Sequence, residues 1–206
     1  MGQTHYFTDN STLPSNRKDH EFTFSGHRYI FRTDDGVFSK SEVDYGSRAL
    51  LKALEKEDLQ GAVLDMGCGY GVIGIVLKTL FPDCAVTCAD VNPRAAELAV
   101  INSSINSADI RVLISDRFEQ ISDHFDAVVT NPPIRAGKKT VYAIFEEAYD
   151  HLNDGGLFFA VIRKQQGAES AAAKLTEIFG SCQTVLKDKG YRVLKCRRIK
   201  RVSDGI

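Results

Sequence analysis

The chain has 206 residues, 43% hydrophobic and 26% charged, with a formal net charge of -1. That usage excludes a disordered or fibrous chain, and the length allows one domain, or one domain with an appendage, whose core needs no staple. Apolar runs are a few residues long, far short of the ~20 that cross a bilayer. The polar start MGQTHYFTDNSTLPSNRKDHE holds no apolar signal-peptide segment, so a cytoplasmic protein without membrane contact is expected.

The first residues read as an arm or irregular lead-in. EFTFSGHRYIFRTD then alternates Phe22 and Phe24, turns at Gly26 and alternates again at Tyr29 and Phe31, which predicts a β-hairpin. Ser41 to Lys56 carries Ala49, Leu50, Ala53 and Leu54 at helical spacing. A division follows: an arm, hairpin and helix over 1–57, and a larger domain over 58–206.

From residue 62 strands and helices alternate. AVLDMG is a short buried strand, and Val72 to Leu80 a helix. Cys84 to Ala89 is a strand ending at Asp90. Pro93 to Ile105 is a helix with proline in its first turn. Ile110 to Ile114 and Phe125 to Thr130 are strands ending before Asp116 and Asn131. A helix over Lys139 to Leu152 should stop at Asn153-Asp154-Gly155-Gly156. An apolar strand from Gly156 to Ile162, a helix from Gly167 to Phe179 and strands near 182–187 and 191–199 complete the chain. The pattern predicts an α/β fold: a Rossmann-like, doubly wound, mostly parallel seven-stranded sheet with an antiparallel edge hairpin at Asp188-Lys189-Gly190.

Charge and cysteine usage add two constraints. Lys187 to Arg201 holds eight basic residues and one acid, a cationic patch on an otherwise acidic chain. The cysteines are Cys68, Cys84, Cys88, Cys182 and Cys196. They include no CxxC pair and no Cys/His cluster, so reduced thiols and no metal are expected. The histidines form no triad signature and read as surface or capping residues.

In a doubly wound sheet, ligands bind beyond the carboxyl ends of the strands. Those ends carry Asp65-Met66-Gly67-Cys68-Gly69-Tyr70-Gly71, then Asp90, then Asp116, then Asn131-Pro132-Pro133-Ile134. Glycines there let a loop turn tightly and approach a ligand. Gly69 to Gly74 also fits the dinucleotide fingerprint, with Asp90 ~20 residues on, so a hydride-transfer enzyme is a rival. Two features tilt against it: Asp65 would repel a pyrophosphate but suits a cationic amine, and hydride transfer has no special need of Asn-Pro-Pro.

That motif series resembles the class I S-adenosylmethionine-dependent methyltransferases over residues 60–200. Within them, Gly36-Val37-Phe38-Ser39, Asp44-Tyr45-Gly46-Ser47 and Leu50-Leu51 are similar to the lead-in of the small-domain 16S ribosomal RNA guanine-N2 methyltransferases, in their single-domain bacterial form. The resemblance implies S-adenosylmethionine as cofactor, with the loop at Gly67, Cys68, Gly69 and Gly71 cradling its methionine part and Asp65 near the ammonium. Asp90, with Val91 and Asn92, would hold the ribose. Asp116 would accept from the adenine amino group, Arg117 or Phe118 would flank the ring, and Phe38 would close the pocket. Asn131 would also border the cofactor.

The chemistry of Asn131-Pro132-Pro133 can be argued directly. An exocyclic amine on a base is a poor nucleophile because its lone pair is delocalised into the ring. The Asn131 side-chain carbonyl and the Pro132 backbone carbonyl can each accept one N–H and turn that lone pair towards an activated methyl. Two prolines keep those acceptors in place. Adenine-N6 and glutamine-amide methyltransferases share the site but usually follow the prolines with an aromatic. Here Ile134 stands there, which favours the guanine reading over a protein-amide one. A cofactor-binding RNA chaperone without catalysis is a further alternative, and the intact Asn-Pro-Pro argues against it. The implied partner is ribosomal RNA or the small ribosomal subunit. Arg135, Lys138, Lys139, Arg197 and Arg198 are candidates for its phosphates, and His5 and Tyr6 of the arm are further candidates for folding over it.

Overall fold

A turn at Ser25 and Gly26, both with positive φ (49° and 77°), folds Lys18–Phe24 (β1) and His27–Thr33 (β2) into an antiparallel hairpin. The computed structural model describes residues 15–35 and 42–200. Phe38, His5 and Tyr6 lie outside those residues. Phe22, Tyr29 and Phe31 point inward, each at most 3% exposed, and join the core of the larger sheet.

The remaining elements are Tyr45–Leu54 (α1), Ala62–Met66 (β3), Val72–Leu80 (α2), Ala85–Asp90 (β4), Pro93–Ile105 (α3), Ile110–Ile114 (β5), Phe125–Thr130 (β6), Lys138–His151 (α4), Leu152–Arg163 (β7), Ala168–Phe179 (α5), Gln183–Asp188 (β8) and Tyr191–Arg197 (β9). Their sheet runs β5-β4-β3-β6-β7-β9-β8. Strands β3 to β7 are parallel, while β9 runs antiparallel to β7 and β8 antiparallel to β9. The seven-stranded, mostly parallel sheet with its antiparallel edge is therefore as expected.

Both faces of the sheet are covered. Val63, Ala127, Val129, Phe159 and Val161 face one hydrophobic cluster, and their neighbours Leu64, Val128, Phe158 and Ala160 face the other. Period-2 alternation between two buried faces explains the near-continuous apolar strands. Chain order reverses between β3 and β6, which opens a crevice at their carboxyl ends.

The hairpin is tied down by two asparagines one turn apart on α3. Asn102, fully buried, donates to the carbonyls of Arg32 and Tyr70 (both 2.9 Å) and accepts from the Arg32 amide (2.7 Å). Asn106 makes the same pair of bonds with Ile30 (2.9 and 2.8 Å). Side-chain amides thus stand in for a neighbouring strand along the edge of β2.

Three boundaries differ from expectation. Helix α1 starts at Tyr45, because the Asp44 side chain accepts from the Ser47 amide (3.2 Å) and caps the helix there. Strand β7 starts at Leu152, directly after α4 and with no intervening loop. Leu152 pairs with Phe125, Asn153 donates to Asp126 (2.8 Å), and the glycines fall in the register shift between Phe125 and Ala127, so they form an irregularity inside the strand. The last strand ends at Arg197, short of residue 199.

Among the described residues no helix is long and apolar enough to cross a membrane. Asn102→Ala leaves one buried N–H and two buried carbonyls without that partner. We expect a loss of about 1–3 kcal/mol in urea unfolding, against at most about 0.5 kcal/mol for the exposed Ser104→Ala on the same helix.

Candidate active site

The carboxyl ends of β3 and β4 are sewn together by backbone. After β3, the amides of Gly67 and Cys68 both donate to the Ala89 carbonyl (2.8 and 3.0 Å), and the Gly69 amide donates to Asp90 Oδ2 (2.8 Å). Asp90 Oδ1 accepts from the Asn92 amide (2.9 Å). Asn92 then caps α3 by accepting from the Arg94 amide (3.0 Å). The buried Asp90 carboxylate therefore holds the glycine loop to the tip of β4, with Val91 between it and the cap.

The loop needs glycine at two positions for different reasons. Gly67 has φ +72 and open space where a Cβ would stand. Gly71 has φ +92, and a Cβ there would meet Ala99 of α3 at 3.1 Å. Cys68 is buried beside Cys88, which pushes its thiol well above the usual range. It is a packing residue rather than a nucleophile.

Asp65 differs from expectation. It has no exposed surface and lies beneath the loop, where its Oδ2 accepts from the Gly74 amide (2.9 Å). Its Oδ1 has no hydrogen-bond partner among the described residues. Burial pushes its carboxyl up to about 7, against the Gly74 bond and with help from the neighbouring charge of Asp90.

At the end of β5, Asp116 is exposed, 3.3 Å from Arg117 Nη1. Arg117 has φ 51, and its Nε donates to Glu147 of α4 (2.8 Å). The placement corrects one expectation. Phe118 is 4% exposed and stacks on His151 with ring centroids 4.5 Å apart, so it belongs to the core and cannot flank a ligand ring. His151 itself is no surface residue, since its ring nitrogens lie 2.8 and 3.0 Å from the carbonyls of Glu147 and Ile121.

At the end of β6, Thr130 is fully buried and donates to the Met66 carbonyl (2.8 Å), which puts Asn131 level with the glycine loop. Asn131 Nδ2 donates to Asp44 Oδ1 and to Ser47 Oγ, both at 3.1 Å. Ser47 Oγ in turn donates to Asp44 Oδ2 (2.6 Å). Gly46 lies against this amide, where a Cβ would come within 3.2 Å of both its polar atoms. A carboxylate only accepts, so Asp44 decides which end of the amide faces it. Oδ1 is thereby left as the acceptor. These partners stand 84 and 87 residues from Asn131 in sequence and were missed by motif reading, although Asp44 and Ser47 have the spacing of a helix cap.

Beyond Asn131, Pro132 is buried, and Pro133 leads into a short 3-10 turn over Ile134–Ala136. Ile134 packs partly buried against the second core, so it offers no stacking surface. Arg135, Lys138 and Lys139 are exposed beside this turn. Arg197 and Arg198 are not brought to it. Arg197 pairs with Leu157 at the amino end of β7 and donates to the Gly155 carbonyl (2.7 Å), while Arg198 is paired with Asp154. Because β9 is antiparallel, those two cations stand at the opposite end of the sheet from Asn131.

A family model described as "Methyltransferase small domain" matches residues 28–195. The chain belongs to the methyltransferase small domain family. Bacillus subtilis YbxB, itself described as uncharacterized, is 41% identical over 95% of this chain and 98% of its own length. Ribosomal RNA small subunit methyltransferase C of Haemophilus ducreyi is 37% identical over 78% of this chain. Among solved structures, the Thermus thermophilus 16S rRNA N2 G1207 methyltransferase, in complex with AdoMet and guanosine, superposes with a TM-score of 0.82 at 30% identity over 90% of this chain. The chain spans about half the length of the last two relatives, 50% and 52%.

S-adenosylmethionine is the cofactor of this methyltransferase small domain, and the residues present fit it. The glycine loop leaves open space at Gly67, and beneath it Asp65 keeps a buried oxygen that a nearby cation would stabilise.

Because the folded state raises the Asp65 carboxyl towards 7, it holds a proton that the unfolded chain has already released. This contribution to stability is fully present below about pH 4 and is lost as pH rises through 7. The ligand-free protein should lose up to about 1.4 kcal/mol per pH unit between pH 5 and 7 relative to Asp65→Asn, read as urea midpoints of both proteins across that range.

Proposed function

We propose that the chain transfers a methyl group from S-adenosylmethionine to the exocyclic N2 amine of a guanine in small-subunit ribosomal RNA. The observation that carries this reading is the Asn131 amide, locked by Asp44 and Ser47 with its carbonyl left as an acceptor at the carboxyl end of β6. The names of the relatives in Haemophilus and Thermus support the substrate. An RNA of this kind also implies a cytoplasmic protein.

In this reading the bound cofactor supplies a methyl group already activated on a sulfonium sulfur. The loop at Gly67, Cys68, Gly69 and Gly71 would cradle its methionine part, Asp90 with Val91 and Asn92 its ribose, and Asp116 with Arg117 its adenine. Asn131 Oδ1 and the Pro132 carbonyl would each accept one N–H of the target amine. That grip draws the nitrogen towards tetrahedral and directs its lone pair at the methyl. As the new N–C bond forms the nitrogen becomes cationic, so it sheds a proton to solvent without a strong base. Fixed acceptors need no reorganisation as charge develops. Arg135, Lys138 and Lys139 would meet phosphates beside the base, which must be unpaired or extruded to enter.

Asn131→Ala should lower kcat by about 100-fold or more with the S-adenosylmethionine Kd unchanged. Asp44→Ala should lower kcat less, because the amide stays but is no longer oriented. The readout is tritium from labelled S-adenosylmethionine, offered separately to ribosomal RNA and to a protein fraction, with N2-methylguanosine identified in digested RNA by mass spectrometry. Near-normal transfer by Asn131→Ala would remove the orientation mechanism, and label in the protein fraction alone would return the side-chain amide as substrate.

A further inference from the structure

A second concavity opens on the other side of the first turn of α1. It has a volume of about 340 Å³, and Phe24, Tyr45, Arg48, Lys52, Asp188 and Lys189 line it. Three of those six side chains are cations and one is an acid. The concavity also stands at the carboxyl end of the sheet: β8 finishes at Asp188, and Tyr191, which starts β9, pairs with Arg163 at the end of β7. Its neighbour across α1 is Asn131, since Asp44, next to Tyr45, holds that amide. The two features are separated by roughly one turn of helix, about 5.4 Å.

The cations are arranged rather than scattered. The Arg48 guanidinium lies 4.8 Å from the centre of the Phe22 ring, and its Nε donates to the Val43 carbonyl (2.9 Å). The ammonium groups of Lys52 and Lys189 lie 5.9 and 5.0 Å from the centre of the Tyr45 ring. Lys189 takes up its place with φ +42, in a two-residue turn with Gly190 where asparagine, aspartate or glycine are the usual residues. Nothing about the hairpin requires a lysine in that conformation. Asp188 accepts from the Tyr45 hydroxyl (2.6 Å) and Lys52 (3.1 Å), both on Oδ2, and these donors hold its carboxyl below the usual range.

We infer that this concavity seats a nucleotide of the substrate RNA next to the methylated one. Its phosphate lies against Lys52, Lys189 and Arg48, its apolar surface against Phe24, and its 2′-hydroxyl donates to Asp188 Oδ1. The inference rests on the RNA substrate proposed above and extends it. The volume suits about one nucleotide, as small-ligand sites begin near 300 Å³. The fixed carboxylate gives a preference for RNA over DNA, because only RNA brings the extra hydroxyl.

The test uses the full chain, a fluorescein-labelled single-stranded RNA 12-mer, its DNA counterpart, and small-subunit ribosomal RNA as methyl acceptor. The double variant Lys52→Gln, Lys189→Asn removes both charges and keeps a residue that tolerates positive φ at 189. We expect its Kd for the RNA to rise at least tenfold at 0.1 M salt. The dependence of log Kd on log salt should flatten by about 1.4, or 0.7 per lost phosphate contact. In turnover the RNA KM should rise while the S-adenosylmethionine Kd stays put. Arg111→Gln, an exposed cation on the far strand β5, should match wild type, and Asp188→Asn should narrow the RNA-to-DNA ratio.

RNA affinity and salt slope equal to wild type in the double variant, with the same melting temperature, overturn the seat. If that happens while wild type makes N2-methylguanosine, the activity stands alone. If the double variant loses RNA binding but wild type makes no N2-methylguanosine, the seat stands and the assigned reaction falls. Wild type that binds no RNA overturns both.

Discussion

A carboxylate has no proton to give, and at the centre of this molecule that fact sets the direction of one amide. Asp44 lies 3.1 Å from Asn131 Nδ2 and also anchors Ser47, so the amide nitrogen must face α1 and the carbonyl must face away. The same bond fastens α1, and with it the amino-terminal part of the chain, to the end of β6. Without it, Asn-Pro-Pro would be a stiff turn with an undirected side chain. With it, the turn presents two carbonyl oxygens in a fixed relation to the loop after β3.

Much of this was legible from residues alone, and the reasons are local. Pro93 after Asn92 marks a helix start that needs no tertiary information. Gly71, in the left-handed region, fixes the start of α2 in the same way, so both helices fall where pattern reading puts them. The order of strand ends, with Asp65, Asp90, Asp116 and Asn131 each following an apolar run, is a property of the alternating fold. It survives any error of one or two residues at a boundary.

What could not be read depends on direction and depth. Arg197 and Arg198 belong to a basic stretch, but an antiparallel strand carries its two ends to opposite rims of the sheet. The turn at Lys189 is therefore the part of that stretch on the side of Asn131. Asp65 follows the motif, yet it is wholly enclosed beneath the loop, and depth leaves no trace in spacing. Phe118 sits one residue past a strand-end arginine and still turns inward onto His151. Asn153 to Gly156 looks like a terminator. Beside Phe125 and Asp126 it becomes the start of a strand, because a neighbour's register overrides local turn preference.

The two halves of the sheet do different work, and α1 is what joins them. On the side of β3, β4 and β5 the backbone makes the site: the Ala89 carbonyl and the Asp90 carboxylate hold the glycine loop in shape through main-chain amides, so side-chain identity matters little where the loop meets a ligand. On the side of β6, β7, β9 and β8 the side chains make it, and α1 touches both limits of that side. Through Asp44 and Ser47 it grips Asn131. Through Tyr45 and Lys52 it grips Asp188 at the edge hairpin. One helix of ten residues therefore sets the position of the acceptor amide relative to the cationic rim. A force applied at Lys189 or Lys52 acts on the element that orients Asn131, so occupancy of the rim and the aim of the amide are mechanically linked within one rigid turn. That arrangement lets a small domain align a base with its methyl donor from a contact made one nucleotide away.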